Sequence, residues 1–307
     1  MIRGRVIKST GSFYSVDTEM GDTVQARARG KFRNKEIRST NPIAVGDWVK
    51  VELKDDDYII VEIEERHNYI VRKSVNLSKQ SHIIASNIDQ AVLVATLVNP
   101  RTLPAFIDRF CIAAEAYHIP VAIVFNKVDL LEDDEIEILE DFAGVYSELG
   151  YQVLFTSATE KLGLDELKHL LQNKVSLLSG HSGVGKSTLI NALDENLDLR
   201  IGEISEYHQT GQHTTTNAEM LKLDFGGYII DTPGIRGFGL VHIEKDELAG
   251  YFPEMRKLLP DCKFYNCLHI MEPGCAVKDA VENGIVAQTR YNSYLNMYND
   301  DDEETYR

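Results

Sequence analysis

Ser179-Gly-His-Ser-Gly-Val-Gly-Lys-Ser-Thr188 decides the reading of this chain. It has the form G-x-x-x-x-G-K-S, preceded by the apolar Lys174-Val-Ser-Leu-Leu178 and followed by Ser187-Thr-Leu-Ile-Asn-Ala-Leu193. A strand entering and a helix leaving a glycine-rich loop is the context in which this motif binds phosphate; the alternative, a chance match in a glycine turn, lacks such flanks. Glycines let successive backbone N–H groups turn inward on a polyphosphate, and the helix N-terminus favours its charge. Gly180, His181, Ser182, Gly183, Val184, Gly185, Lys186, Ser187 and Thr188 are therefore assigned to nucleotide. Lys186 is placed on the terminal phosphates and Ser187 on Mg²⁺. His181 reads as a filler at a variable position.

Two loops before this stretch point to the base. Asn126-Lys-Val-Asp129 follows the apolar Val121-Ala-Ile-Val-Phe125 and reads N-K-x-D. A carboxylate at Asp129 can accept from N1–H and the 2-amino group of guanine together. Adenine offers no such pair, and a buried carboxylate left unpaired penalises it. Asn126 can meet the guanine edge, Lys127 can lie over the base plane, and Val128 sits between them. Thr156-Ser157-Ala158 supplies backbone N–H groups, those of Ser157 and Ala158, for the base oxygen.

Two segments after the phosphate loop complete the set. His208-Gln-Thr-Gly-Gln-His213-Thr-Thr-Thr216 is polar and glycine-bearing, as a switch loop requires, and Asp231-Thr-Pro-Gly234 reads D-x-x-G after Tyr228-Ile-Ile. Asp231 is placed on Mg²⁺ and the Gly234 N–H on the γ-phosphate. Thr215, with Thr214 and Thr216 as alternatives, completes the magnesium shell in the GTP state. Ile235 follows where Ras-like enzymes carry the glutamine that orients water, a task closed to an aliphatic side chain, so unassisted hydrolysis is expected to be slow.

The 307 residues are 43% hydrophobic and 26% charged, a soluble globular composition with room for two or three domains. No apolar run reaches the ~18–20 residues that span a bilayer, and Met1-Ile-Arg-Gly-Arg-Val lacks the apolar core of a signal peptide. A cytoplasmic protein without a membrane partner is expected. The formal net charge is −16, but residues 1–80 carry 15 Lys+Arg against 12 Asp+Glu, a net of +3, leaving −19 for residues 81–307. Total charge therefore does not exclude a nucleic acid at the N-terminal end.

Residues 1–70 read as short strands separated by Gly11, Gly21-Asp22, Gly46-Asp47 and Asp55-Asp56-Asp57. This spacing suits a small barrel, OB-like or alternatively SH3-like. Within it Arg27, Arg29, Lys31, Phe32, Arg33, Lys35 and Arg38 cluster, fit for a nucleic-acid backbone with Phe32 stacking, or else forming a solvated hairpin. Arg72-Lys73 and Lys79 are expected in a linker. Residues 71–240 alternate strands and helices, as a parallel sheet covered on both faces requires. Residues 104–118 read as a helix with Cys111 in the core, and residues 132–149 as one burying Ile136, Leu139, Ala143 and Tyr146. Residues 241–307 hold Cys262-x₄-Cys267-x-His269-x₅-Cys275, a full tetrahedral zinc shell with no open position. A helix over residues 279–299, with Tyr291, Tyr294, Leu295 and Tyr298 packed on the domain or facing RNA, and a frayed acidic tail at 300–304 complete the chain.

The guanine elements stand in an unusual order, N-K-x-D and T-S-A before the phosphate loop, a circular permutation of a GTPase domain. An N-terminal barrel, a permuted GTPase domain and a mainly helical Cys/His-bearing C-terminal domain together resemble the RsgA family. The resemblance covers essentially the whole chain and implies a GTPase converting GTP to GDP and phosphate. It implies a monomer that binds the 30S ribosomal subunit and its 16S rRNA late in maturation and is stimulated by it. It also implies that His213 activates water, beside the plainer reading of a solvated switch histidine, and that the cysteine/histidine spacing takes one structural Zn²⁺. A nucleotide-dependent switch acting on a non-ribosomal RNA or protein is the alternative.

Overall fold

In the computed structural model, which describes residues 1–10, 12–28, 42–73, 81–197, 199, 219–231 and 243–299, five N-terminal strands close on themselves. They are β1 (Ile2–Thr10), β2 (Phe13–Thr18), β3 (Thr23–Ala28), β4 (Trp48–Lys54) and β5 (Asp57–Ile63). The order is β1-β2-β3-β5-β4, with β4 returning to pair with β1 and with β3 parallel to β5. This is the closed five-stranded barrel of the OB-like reading. Alternation along the strands turns Val6, Tyr14, Val16, Ala26, Val49, Val51 and Ile60 inward, and Ile43 completes the core.

The expected linker is instead a strand pair. β6 (Tyr69–Lys73) runs antiparallel to β7 (Ser81–Ser86), so Arg72 and Lys73 end a strand; Lys79 lies outside the described residues. The pair is fastened to the barrel by the Val45–Ala85 bridge and by the buried Asp47, whose carboxylate accepts from Ser86 Oγ and Arg66 Nε, both at 2.6 Å.

The remaining strands are β8 (Gln90–Ala95), β9 (Val121–Asn126), β10 (Gln152–Thr156), β11 (Val175–Ser179), β12 (Glu219–Lys222) and β13 (Tyr228–Asp231). The chain divides into two units. In the first, which holds the barrel, β11 lies parallel to β13, β13 is antiparallel to β12, and β12 is antiparallel to β1. Helices α3 (Leu164–Leu171) and α4 (Lys186–Leu193) belong to it.

In the second unit β10, β9 and the end of β8 lie side by side, with β9 parallel to β10 and buried throughout. Helix α1 (Pro104–Ala116) buries Ile107, Phe110, Cys111 and Ala114, as its spacing predicts; burial pushes the Cys111 thiol up, which keeps it unreactive. Helix α2 (Asp133–Glu148) buries Leu139, Ala143 and Tyr146, but Ile136 is 40% exposed, against expectation. Its turn belongs to an acidic N-terminus closed by a Glu132–Glu135 capping box, which stays in solvent. The expected single helix over 279–299 is two. α5 (Pro253–Leu258) is followed by α6 (Ala276–Glu282) and α7 (Gln288–Asn299), and the break contains Gly284 at φ +73°, which no helix continues through. Tyr294 is fully buried and Tyr291, Leu295 and Tyr298 pack around it, so these side chains serve the core. Residues 300–304 lie outside the described set. Among the described residues no helix is long and apolar enough to cross a membrane.

Candidate nucleotide site and metal centre

In the second unit the two base loops and the glycine part of the phosphate loop meet. The parallel register of β9 and β10 sets Asn126 level with Thr156. Asn126, 4% exposed, accepts from Thr156 Oγ1 at 3.1 Å and donates through Nδ2 to the Val184 carbonyl at 2.8 Å. One buried amide thus joins N-K-x-D, T-S-A and the phosphate loop. Lys127, at φ +65°, donates to the Asn99 carbonyl at 2.5 Å. Asp129 is exposed, with Oδ2 3.3 Å from Thr159 Oγ1, whose own partner is Ser157 Oγ at 3.1 Å.

The glycines of the loop are there for space and for backbone angle. Gly180, Gly183 and Gly185 all take positive φ. A Cβ on Gly180 would collide with the Val94 carbonyl, and one on Gly185 with the Asn126 amide. His181 is no filler, because its ring stacks on Phe106 of α1 with centroids 3.9 Å apart.

In the first unit Lys186 and Ser187 are buried in the first turn of α4, and Asp231 ends β13. Hydroxyl and carboxylate oxygens are the hard donors that Mg²⁺ selects, so this set fits that ion.

The C-terminal cluster is assembled. The ligand atoms of Cys262, Cys267, His269 and Cys275 lie within 4.8 Å of one another, and His269 Nδ1 is 3.7 Å from Cys262 Sγ and 3.3 Å from Cys275 Sγ. Ligand atoms on a tetrahedral zinc are separated by about 3.5–3.8 Å, given Zn–S of about 2.3 Å and Zn–N of about 2.0 Å. Burial pushes the Cys267 thiol up to about 12 and depresses the His269 imidazole. Such groups resist charging on their own and suit a cation that stabilises thiolate. The cluster is compatible with one zinc ion.

The loop carrying the histidine is held by side chains that spacing does not reveal. His269 sits at φ +59°, and the Glu272 carboxylate accepts from the N–H groups of Leu268, Ile270 and Met271 at 2.8–3.0 Å. Burial works to raise the Glu272 carboxyl, but those donors outweigh it and hold it below the usual carboxylate range. Tyr291 and Tyr294 donate to the His269 and Leu268 carbonyls at 2.6 and 2.5 Å.

Comparison with known proteins agrees with this geometry. A family model for the RsgA GTPase matches residues 63–241, and one for the RsgA N-terminal domain matches residues 3–60. The chain belongs to the RsgA GTPase family. Among RsgA relatives, a small ribosomal subunit biogenesis GTPase RsgA 2 of Bacteroides thetaiotaomicron is 52% identical, over all of this chain and 99% of its own. The RsgA of Flavobacterium johnsoniae is 54% identical over 99% of this chain and 94% of its own. Two solved structures are similar. YjeQ of Thermotoga maritima has a TM-score of 0.78 and 34% identity, covering 97% of both chains. YloQ, described as a circularly permuted GTPase, has a TM-score of 0.77 and 32% identity over 97% of this chain and 94% of its own.

For this RsgA-family chain His213, Thr215 and Gly234 lie outside the described residues, as do Arg29, Lys31, Phe32, Arg33, Lys35 and Arg38 of the basic run. Arg27 is described; its guanidinium lies over the Phe13 ring at 4.8 Å and 3.7 Å from Asp57. Ser157 is buried and Ala158 half-buried at the end of β10. Thr156 and Thr159 are the residues that motif reading missed. The T-S-A-T run displays both, but only the level ends of β9 and β10 bring Thr156 onto Asn126.

Proposed function

We propose that this chain binds GTP and hydrolyses it to GDP and phosphate on the small ribosomal subunit during its biogenesis. The observation that carries the reading is the Asn126 amide, joined to Thr156 on one side and to the phosphate loop at Val184 on the other. It makes base recognition and phosphate binding one construction, as a guanine-nucleotide enzyme needs and a chance glycine turn does not. Asp129 selects guanine, the backbone N–H groups of Ser157 and Ala158 bind its oxygen, and Thr159 orients the Asp129 carboxylate. Residues 180–188 wrap the phosphates, with Lys186 neutralising charge that develops on them.

Ser187, Asp231 and Thr215 would hold Mg²⁺, which would supply positive charge against the charge that develops on the phosphates. His213 orients the attacking water in place of the glutamine absent at Ile235, and Gly234 senses the γ-phosphate. Cys262, Cys267, His269 and Cys275 hold one structural zinc, whose contribution is to fix this loop-rich segment. The barrel and its basic run at 27–38 bind 16S rRNA, and the protein works as a cytoplasmic monomer. GTP hydrolysis measured alone and with 30S subunits, 50S subunits or tRNA tests the reading. Stimulation by 30S alone is expected. Equal stimulation by 50S subunits or tRNA would point to another partner, for which the −19 of residues 81–307 leaves room.

A further inference from the structure

Besides the β1–β12 pairing, one barrel carboxylate reaches both strands that bound the switch segments. Strand β12 begins at Glu219, three residues after the threonine run, and β13 ends at Asp231. Their antiparallel register pairs Glu219 with Asp231 at one end and Lys222 with Tyr228 at the other. Both members of that second pair reach the same atom of β2. Lys222 Nζ donates to Asp17 Oδ2 at 2.8 Å, and the Tyr228 hydroxyl donates to the same oxygen. Asp17 is 5% exposed, and its other oxygen is buried with no hydrogen-bond partner among the described residues. Burial, and then the Asp17 carboxylate, push the Tyr228 phenol up, so it remains a donor. The guanidinium of the half-buried Arg5 lies over the Tyr228 ring at 5.7 Å.

Taking a carboxylate out of water with half of its acceptors unused is unfavourable, so such groups are weak sources of stability. What this one can supply is register. Strand pairing alone tolerates a slip, and a slip of one residue moves a strand by about 3.4 Å and turns its side chains to the opposite face. Asp17 accepts from a directly opposed cross-strand pair and can keep both partners in one register only. We propose that Asp17 is a positioning residue for the magnesium site, a register pin that sets Asp231 through the β12–β13 pair. Asp231 is three residues from Tyr228 along β13, about 10 Å at the rise of a strand. The barrel thereby fixes where a magnesium-binding residue stands without touching the ion. This inference rests on the reading of Asp231 as a magnesium residue.

The test is a magnesium titration of the full-length protein, read both as GTP hydrolysis and as the magnesium-dependent slowing of fluorescent GDP release. Asp17→Ala and Tyr228→Phe are expected to raise the half-saturating magnesium concentration about ten-fold, with GDP affinity in EDTA unchanged. Asp17→Asn, which keeps an acceptor for the tyrosine, should fall between them and wild type. A merely structural role would lower the folded fraction and scale every readout together. Half-saturation within about two-fold of wild type for Tyr228→Phe, alongside a large rise for Asp231→Asn, overturns the register pin and leaves the magnesium reading intact. No rise for Asp231→Asn removes the magnesium reading and the pin with it. Should Asp17→Ala fail to fold, Tyr228→Phe decides.

Discussion

The barrel and the C-terminal helical segment are joined to the nucleotide-binding strands by opposite means. The barrel is joined by backbone, since β1 pairs with β12 in the first unit, and its flanking ion pair Lys8–Glu219 is nearly half exposed. Among the described residues, the C-terminal segment contributes no strand to the second unit. Its tie to α1 is a buried ionic cluster around Arg290 of α7, which is 1% exposed. Arg290 Nη1 donates to Asp108 Oδ1 of α1 at 2.7 Å, while Nε and Nη2 donate to Glu254 of α5 at 2.7 and 3.2 Å. The Tyr146 hydroxyl donates to Asp108 at 2.9 Å, and the guanidinium lies over Phe252 at 4.8 Å. Burial works to lower the Arg290 pKa, but Asp108 and Glu254 outweigh it and raise it. Main-chain pairing holds through bonds that no side-chain change removes, whereas a buried clasp is sound only while every member is present.

The residues around the clasp share an apolar cluster with the cysteine/histidine centre, and there the largest effect is expected. Cys267 and Cys275 lie in the same apolar cluster as Phe252, Tyr294 and Ile112 of α1. Structural zinc supplies binding free energy of about 10–16 kcal/mol in small domains, which is then folding free energy. Cys267→Ser, or removal of metal by a strong chelator, is expected to abolish the bound zinc and the hydrogen-exchange protection of α5 to α7. Protection of β1 to β5 should persist, because the barrel is held by its own ladders. Loss of protection in both regions would show that the two attachments are not independent.

Next comes the clasp itself. Arg290→Met strands two buried carboxylates, and breaking a buried pair on one side costs about 3–5 kcal/mol. Urea unfolding followed in the second unit should show that loss. The triple change Arg290→Met, Asp108→Asn, Glu254→Gln removes the charges together and is expected to recover much of it. A triple variant as unstable as the single would mean that packing against Phe252, rather than charge, holds α7 to α1.

The sequence carries these two attachments unequally. The five barrel strands, the phosphate loop, both base loops and the metal cluster are local patterns whose meaning lies in spacing and flanks, and each forms an element or loop at its expected place. The pairing of β1 with β12 joins residues more than two hundred positions apart, so no window of sequence contains it. Strand β12 is four residues long and has no strong alternation, which is why it does not announce itself. Arg290 reads as an ordinary helical cation; its two carboxylates come from α1 and α5, 182 and 36 residues away. The same limit explains Thr156, whose role exists only through the register of two parallel strands. His181 fails differently, since its partner Phe106 lies on a helix that the motif does not describe.

The smallest effect should come from the ion pair beside the backbone ladder. Lys8 Nζ and Glu219 Oε1 are 2.9 Å apart with side chains 43% and 46% exposed, so water screens both charges. Exposed pairs contribute about 0–1 kcal/mol and weaken with salt. Lys8→Gln and Glu219→Gln, singly and together in a double-mutant cycle on the full-length protein, should give a coupling below about 1 kcal/mol that shrinks further at high ionic strength. The register of Lys8 against Glu219 is fixed by main-chain bonds, which neither change removes. A salt-insensitive coupling of about 2 kcal/mol or more would mean that side chains carry the barrel's attachment as they carry that of the helical segment, and the contrast between the two would fall.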